Sequence, residues 1–181
     1  VVNSVVLEPF LLINTNENML AFANGQPIPH IINNIFVPTF GMVGGTGSTI
    51  SLLIAIFIFS RQKSAKQVAR LSLAPGLFNI NEPVIFGLPI VFNLPLMIPF
   101  VLLPAIGIYF AWLCTTLGLM SRCVVMIPWT TPPILSAWLA TAGDWRAVVV
   151  QLAIIVFGVF FYLPFLKIAE RVALKNSGIE N

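Results

Sequence analysis

The stretch that decides the fold is residues 73–93, which reads LAPGLFNINEPVIFGLPIVFN. It is apolar apart from one glutamate and three asparagines. Pro75, Pro83 and Pro89 each remove a backbone hydrogen bond, so the stretch cannot form one continuous helix. Apolar sequence interrupted in this way is typical of non-helical backbone that lies at membrane depth and lines a cavity enclosed by protein. We therefore expect residues 71–93 to form a hairpin that enters a membrane and returns.

The whole chain is poor in charge. Of its 181 residues, 58% are hydrophobic and only 8% are charged, against roughly 25% charged residues in soluble domains. Residues 83–121, 123–143 and 147–166 contain no Asp, Glu, Lys or Arg, and a helix of about 20 apolar residues spans the hydrocarbon core. The sequence predicts an all-α integral membrane protein with several transmembrane helices. The net charge of +3, without a basic patch, gives no reason to expect a nucleic-acid partner.

Glycine and proline clusters divide the chain into spans and breaks. We expect one crossing at residues 96–119 and a final span at residues 147–166. Re-entrant elements are predicted near residues 30–50, 71–93 and 124–143. The first of them contains the sequence GGTGST, and the last contains PWTTPP.

Basic residues mark the predicted cytoplasmic side. Residues 61–70 carry four basic side chains and no acidic one, and Lys167 and Arg171 follow the final span. By the positive-inside rule, we interpret residues 61–70 as a cytoplasmic loop and place the C-terminus in the cytoplasm. Near the other end, polar residues 14–18 are expected to separate the end of a membrane helix from an interfacial helix around Asn18–Ala23.

The strongest candidate for a binding residue is Glu82. A carboxylate at membrane depth costs about 3 kcal/mol unless it is paired or faces a polar cavity, so it indicates a functional site. Its neighbours Asn79 and Asn81 can both donate and accept hydrogen bonds, and the carboxylate accepts them, which suits sugar hydroxyl groups. The structural alternative is that Glu82 caps a short helix or pairs with Arg122 or Arg146.

Two further segments could line a sugar site. Trp129 and Thr130 lie in the proline-rich break, where an indole can stack on the apolar face of a sugar ring. The alternative for Trp129 is a place in the aromatic belt at the membrane interface. Thr46 lies in the glycine cluster, where backbone N–H groups could bind sugar hydroxyls. The alternative is that the small residues of the cluster allow helices to pack closely.

The sequence does not indicate catalysis or metal binding. His30 is the only histidine, and Cys114 and Cys123 have neither CxxC nor metal-ligand spacing. We therefore expect no catalytic residue, metal or cofactor in this chain. A membrane-embedded enzyme would need a nucleophile–base pair or metal ligands, and it remains one alternative to a sugar carrier; a non-transporting structural fragment is the other.

Several long motifs closely resemble the IIC (permease) component of the bacterial phosphotransferase system, in its lactose/cellobiose/diacetylchitobiose family. Along the chain, the motifs are GQPIPHI with GGTGSTISL, then LAPGLFNINEPVIFGLPIVFN, then PWTTPPI followed by LATAGDWRAVVVQ. They occur in the same order in the family. Because members of that family are longer, residues 1–181 are expected to be the C-terminal, substrate-binding and transport domain of a larger permease.

The resemblance also implies a mechanism and partners. It implies elevator-like carriage of a β-linked disaccharide by a domain with re-entrant hairpins, in a bacterial cell membrane. The sugar would be phosphorylated on delivery by a phosphocysteine of the IIB protein, which works with a IIA protein, and the permease would be a homodimer. The glutamate of the family's NEP motif lies at the sugar, and it matches Glu82 here.

Overall fold

The fold is entirely helical over the residues that the computed structural model describes, which are residues 6–176. No β-strand occurs in that range, so the all-α prediction is confirmed. A 3-10 turn at Ile90–Phe92 precedes the sixth helix. The helices of this range are α1 (Glu8–Ala23), α2 (Phe36–Gly41), α3 (Thr49–Phe59), α4 (Lys63–Leu77), α5 (Glu82–Gly87), α6 (Leu94–Thr116), α7 (Leu135–Ala140) and α8 (Trp145–Asn176).

Two of these helices are long and apolar enough to cross a membrane, α6 with 23 residues and the Trp145–Ala173 part of α8 with 29. At a rise of 1.5 Å per residue, each exceeds the roughly 30 Å hydrocarbon core. They correspond to the spans predicted at residues 96–119 and 147–166. Pro99 and Pro104 lie inside α6, and the helix continues through both of them.

Helix α8 contacts α2, α3, α6 and α7. It lies against α6 and α3, and α3 also packs on α4. One apolar cluster includes Leu52, Ile56 and Tyr162, all fully buried. A second cluster includes Phe36 and Phe40 of α2 and extends to α7 and the first turns of α8. Close van der Waals packing of these side chains holds the short helices, and the irregular segments that connect them, against α8.

Helix α1 corrects the prediction for the N-terminal region. The chain is helical from Glu8 to Ala23, without a break at residues 14–18 or a separate helix at Asn18–Ala23. The polar side chains of the stretch have partners inside the protein: the Thr15 hydroxyl donates to the Leu11 carbonyl, and the Asn18 amide donates to the carbonyls of His30 and Cys123. Polar groups with buried partners do not require a break in the helix.

Helix α4 corrects the loop predicted at residues 61–70 and the start of the hairpin predicted at residue 71. The chain is helical from Lys63 onwards, and Pro75 lies inside the helix. The buried face of α4 repeats every three or four residues, as a packed helix requires, but its residues are small and do not form an obvious apolar stripe. They are Ala65, Ala69, Ser72 and Gly76.

Each predicted re-entrant element contains a short helix with irregular backbone beside it. Residues 30–50 contain α2, residues 71–93 contain α5 after the end of α4, and residues 124–143 contain α7. Residues 42–48, 78–81 and 117–134 are not helical. That these three elements enter and leave the membrane from the same side stays a prediction.

The start of α8 is held by Asp144, whose carboxylate is nearly buried. One carboxylate oxygen accepts the Ser121 N–H at 2.7 Å, and the other accepts the backbone N–H and the Nε–H of Arg146 at 3.0 and 3.3 Å. Burial by itself would raise the pKa of Asp144, but these hydrogen bonds outweigh burial and lower the pKa below its ordinary value.

The lowered pKa of Asp144 predicts a pH-dependent contribution to stability. The charged form is the one that the fold stabilises, so the contribution is complete above the ordinary aspartate pKa of about 3.9 and is lost as the pH falls further, through the folded-state pKa. We expect the melting temperature of Asp144→Asn to lie below that of the wild type at pH 7 and to approach it below about pH 4. A difference between the two melting curves that does not change with pH would contradict this assignment.

Candidate functional site

Three irregular segments meet beside α8, and one side chain joins them. They are the glycine loop (residues 44–48), the asparagine turn (residues 78–81) and the proline segment (residues 128–134). The Asn79 side-chain oxygen accepts the Gly44 N–H at 2.8 Å. The Asn79 amide nitrogen donates to the Trp129 carbonyl at 2.6 Å and to the Thr131 carbonyl at 3.1 Å. Asn79 therefore uses both of its N–H groups and one oxygen lone pair to connect the segments.

The backbone at Asn79 explains why asparagine suits this position. Its φ of 62° is in the left-handed region, which asparagine tolerates better than other residues with a side chain, apart from aspartate. Aspartate would have the same tolerance but no N–H to donate to the two carbonyls. Conformation and hydrogen bonding together therefore favour asparagine.

The glycine loop is held at two more points. The Asn81 amide donates to the Thr46 carbonyl at 2.6 Å, and the Tyr162 hydroxyl of α8 donates to the Gly47 carbonyl at 2.7 Å. Asn81 is 6% exposed and Tyr162 is fully buried. Gly45 has a φ of 97°, and a methyl group on it would collide with the Asn81 side chain. Glycine is therefore needed for the close approach of the loop to the asparagine turn.

A cavity of about 420 Å³ opens between the proline segment, the asparagine turn and the helices α1, α2, α7 and α8. Small-molecule sites commonly have volumes of roughly 300–1,000 Å³. Its wall contains apolar residues of α2 and the proline segment, together with the Trp129 side chain, which is 65% exposed. The polar residues that line it are Glu8, Asn34, Thr39, Asn79, Thr131, Ser136 and Gln151.

The structure brings only part of the predicted site to this cavity. Asn79 and Trp129 line it, whereas Glu82, Asn81, Thr130 and Thr46 are not among its lining residues. Glu82 is exposed and is the first residue of α5. Asn81 and Thr46 are joined to each other by the hydrogen bond described above. Direct contact of these residues with a sugar stays a prediction.

The alternatives considered for Glu82 involve the two arginines. The Arg146 side chain pairs with Asp144, and the Arg122 guanidinium donates to the Ile28 carbonyl. Within residues 6–176, no ion pair involves Glu82. Its position at the start of α5 places its negative charge at the favourable end of a helix.

Two residues of the cavity were missed at the sequence level. Glu8, which was not among the predicted site residues, lines the cavity wall from the first turn of α1. Gln151 lies in the run 147–166, where it is the only residue with a side-chain amide. A lone amide in an apolar span was the available signal, because polar groups in transmembrane helices usually face the protein interior.

The only histidine lies outside the cavity. His30 Nε2 is 2.5 Å from a Glu17 carboxylate oxygen, and both side chains are partly exposed. Cys114 and Cys123 are both buried and not disulfide-bonded. In the part of the chain that the structure describes, no group of three or more His, Cys, Asp or Glu residues could hold a metal ion.

An all-helical fold with apolar spans, and irregular segments that line a cavity, is the architecture of an integral membrane protein. The family model described as phosphotransferase system, EIIC matches residues 1–104. The chain therefore belongs to the EIIC family of the phosphotransferase system.

Relatives from several bacteria support the same family. The cellobiose-specific EIIC component of Lactococcus lactis subsp. lactis (strain IL1403) is 43% identical over 151 residues, 79% of this chain and 31% of that protein. The oligo-beta-mannoside-specific EIIC component of Bacillus subtilis (strain 168) is 38% identical over 177 residues, 96% of this chain and 39% of that protein. The chain spans about a third of the length of these relatives.

A solved structure has the same fold. The crystal structure of the transporter ChbC, the IIC component from the N,N'-diacetylchitobiose-specific phosphotransferase system, superimposes with a TM-score of 0.90 at 36% identity. The match covers 98% of this chain and 41% of that one.

Proposed function

We propose that this protein binds a β-linked disaccharide and carries it across the bacterial cell membrane for phosphorylation by a IIB protein. The observation that carries the proposal is the cavity of about 420 Å³ with Trp129 and seven polar residues in its wall. Its relatives are named for cellobiose and oligo-beta-mannosides, and the similar structure is named for diacetylchitobiose. These are all β-linked saccharides.

The chemistry of the wall suits such a ligand. The exposed indole of Trp129 offers an apolar face on which a sugar ring can stack. Glu8, Asn34 and Thr131 offer acceptors and donors to the hydroxyl groups at the edge of the ring. We place Glu82, Asn81, Thr46 and Thr130 at the border of this site, where the exposed Glu82 carboxylate would accept hydrogen bonds from the part of the disaccharide beyond the cavity.

The hydrogen bonds among the irregular segments suit a carrier that moves as a rigid body. Asn79 links all three segments, and Tyr162 links the glycine loop to α8. A site tied to a long helix in this way would travel with the helix and keep its shape. In the elevator-like movement that we propose, the re-entrant elements near residues 30–50, 71–93 and 124–143 move together within the transport domain.

The basic residues at one end of the fold support an orientation in the membrane. The Glu170 carboxylate of α8 accepts hydrogen bonds from the Ser60 hydroxyl and the Arg61 N–H. This contact brings the basic start of α4 close to Lys167 and Arg171 of α8. Two basic segments on one side of the membrane support a cytoplasmic location for this end and for the C-terminus. We propose that the IIB protein, supplied by IIA, approaches from this side and that the intact permease is a homodimer.

The first test of this proposal is the Glu82→Gln variant of the intact protein. Loss of a charged hydrogen-bond acceptor should weaken the binding of cellobiose or diacetylchitobiose by about 10-fold to 100-fold, because such bonds contribute about 1.5–3 kcal/mol. Binding is measured by equilibrium titration with the radiolabelled sugar. Glu17→Gln, in which an exposed glutamate outside the cavity changes in the same way, should bind as the wild type does.

Three results would count against these assignments. Wild-type affinity in Glu82→Gln would remove Glu82 from the site but leave the cavity. Failure of the wild type to bind any β-linked disaccharide would contradict the proposed function. Normal binding in Glu82→Gln, together with loss of a chemical turnover that the wild type performs, would favour a membrane enzyme.

A further inference from the structure

Gln151 is a buried polar residue in the apolar part of α8, and its side chain makes three hydrogen bonds. Its side chain is 1% exposed. The amide nitrogen donates to the Thr39 carbonyl of α2 at 2.7 Å and to the Ser136 hydroxyl of α7 at 2.9 Å. The amide oxygen accepts the Ile134 N–H at 2.5 Å. One side chain thus joins three parts of the cavity wall to α8.

Because the Gln151 amide is buried, its hydrogen-bond partners must keep their positions. An amide transferred from water to an apolar environment costs several kcal/mol if its hydrogen bonds are not replaced. The Gln151 amide makes three of the four hydrogen bonds that it could make, so its rotamer is determined by Thr39, Ser136 and Ile134 together. The groups that it holds therefore cannot shift without leaving a buried polar atom unpaired.

The third partner is a strained residue. Ile134 has φ 75° and ψ −57°, a conformation that is unfavourable for a β-branched side chain. It follows Pro132 and Pro133 and directly precedes α7. Strained backbone persists only where surrounding contacts hold it, and it concentrates at functional sites. The bond from the Ile134 N–H to Gln151 is such a contact.

The proline segment is thereby held at both ends. Asn79 binds the carbonyls of Trp129 and Thr131 at one end, and Gln151 binds the Ile134 N–H at the other. Trp129 belongs to the first of these anchors, and its side chain is exposed and lines the cavity. The orientation of the indole depends on the path of this backbone.

We propose that Gln151 is a positioning residue for sugar binding, which acts by fixing the proline segment so that Trp129 presents its ring to the sugar. This inference rests on the proposed function. Gln151 acts through the backbone at Ile134 and through the placement of α2 and α7.

The test is a double-mutant cycle in the intact protein, with Gln151→Met and Trp129→Phe. Methionine has a similar volume but cannot make the three hydrogen bonds. We expect Gln151→Met to weaken disaccharide binding about tenfold when Trp129 is present and less than about threefold in the Trp129→Phe background. Such coupling is specific to a positioning role, because a general loss of stability would weaken binding equally in both backgrounds.

Ser51→Ala is the matched control for stability. It removes another buried hydrogen bond to α8, from the Ser51 hydroxyl to the Ile155 carbonyl, outside the cavity. It should lower the melting temperature without changing the sugar affinity. Gln151→Asn keeps the amide group but is one methylene shorter, so it cannot reach all three partners and should bind about threefold more weakly than the wild type. If Gln151→Met does not fold, Gln151→Asn takes its place in the cycle, and additivity with Trp129→Phe overturns the inference.

The two proposals can fail separately. The proposed function stands if the wild type binds the disaccharide. The positioning role is nevertheless overturned if Gln151→Met has unchanged affinity, or if Gln151→Met weakens binding equally with Trp129 and with Trp129→Phe. A wild-type protein that binds no β-linked disaccharide overturns both. Weakening of sugar binding in Ser51→Ala to the extent seen in Gln151→Met also overturns the positioning role, since stability would then explain the effect.

Discussion

Asn79→Asp is expected to abolish detectable disaccharide binding and to lower the free energy of unfolding by at least about 3 kcal/mol. The side chain would keep an oxygen for the Gly44 N–H but lose both donors. Carboxylate oxygen would then face the carbonyls of Trp129 and Thr131, which now lie 2.6 and 3.1 Å from the amide nitrogen. Facing acceptors repel each other, so the proline segment should separate from the asparagine turn.

Two further variants separate the causes of this effect. Asn24→Asp makes the same chemical change at an exposed residue that follows α1, and it should change stability by less than about 0.5 kcal/mol. Asn79→Gly keeps a backbone that readily adopts the left-handed conformation but has no side chain, so it should also lose sugar binding. The measurements are unfolding midpoints in detergent and equilibrium binding of the sugar. Wild-type affinity in Asn79→Gly would show that the Asn79 amide does not organise the site.

Gly47→Ala should produce the second large effect, a loss of about 3 kcal/mol of stability. The φ of Gly47 is 81°, and a Cβ there would approach the Phe100 ring of α6 to less than 3 Å. Left-handed backbone costs an alanine about 1–2 kcal/mol, and overpacking adds about 1–3 kcal/mol. The Tyr162 bond to the Gly47 carbonyl would be strained by the same displacement, so sugar binding should weaken as well.

Gly25→Ala isolates the steric part of that loss. Gly25 has a similar φ of 65°, but a Cβ there would meet nothing within 4 Å. It should therefore lose only the backbone contribution, about 1 kcal/mol. Equal destabilisation in the two variants, measured by thermal unfolding in the same detergent, would contradict the predicted collision with Phe100.

The long helices could be predicted from sequence because their signal is local. Residues 96–119 and 147–166 contain no charged residue, and a charge-free run of this length has few stable alternatives to a membrane helix. The prediction was wrong for residues 61–70, since the buried face of α4 consists of Ala65, Ala69 and other small residues. Such residues pack closely on α3 but give little hydropathy signal.

The candidate site was predictable in part. Asn79 and Trp129 were selected because each lies in a segment that prolines and polar residues mark as irregular, and the structure places both at the cavity. Their linkage was not predictable, since the Asn79 amide bonds to carbonyls 50 and 52 residues further along the chain. Glu8 and Gln151 were missed because nothing beside them in sequence indicates the cavity that they line.

The sequence by itself determined that this is an all-α membrane protein, that its spans are interrupted by non-helical breaks, and that polar residues in those breaks are candidates for binding. Charge content and proline spacing are sufficient for these predictions, since both affect the local conformation of the chain. Only the tertiary structure decided which breaks meet and which polar groups hold them. The hydrogen bond between Asn79 and Gly44 joins residues 35 positions apart in the sequence. Those from Gln151 to Thr39 and from Tyr162 to Gly47 join residues 112 and 115 positions apart. A buried polar group needs a hydrogen-bond partner, and the packing of the segments determines which group is close enough to be that partner.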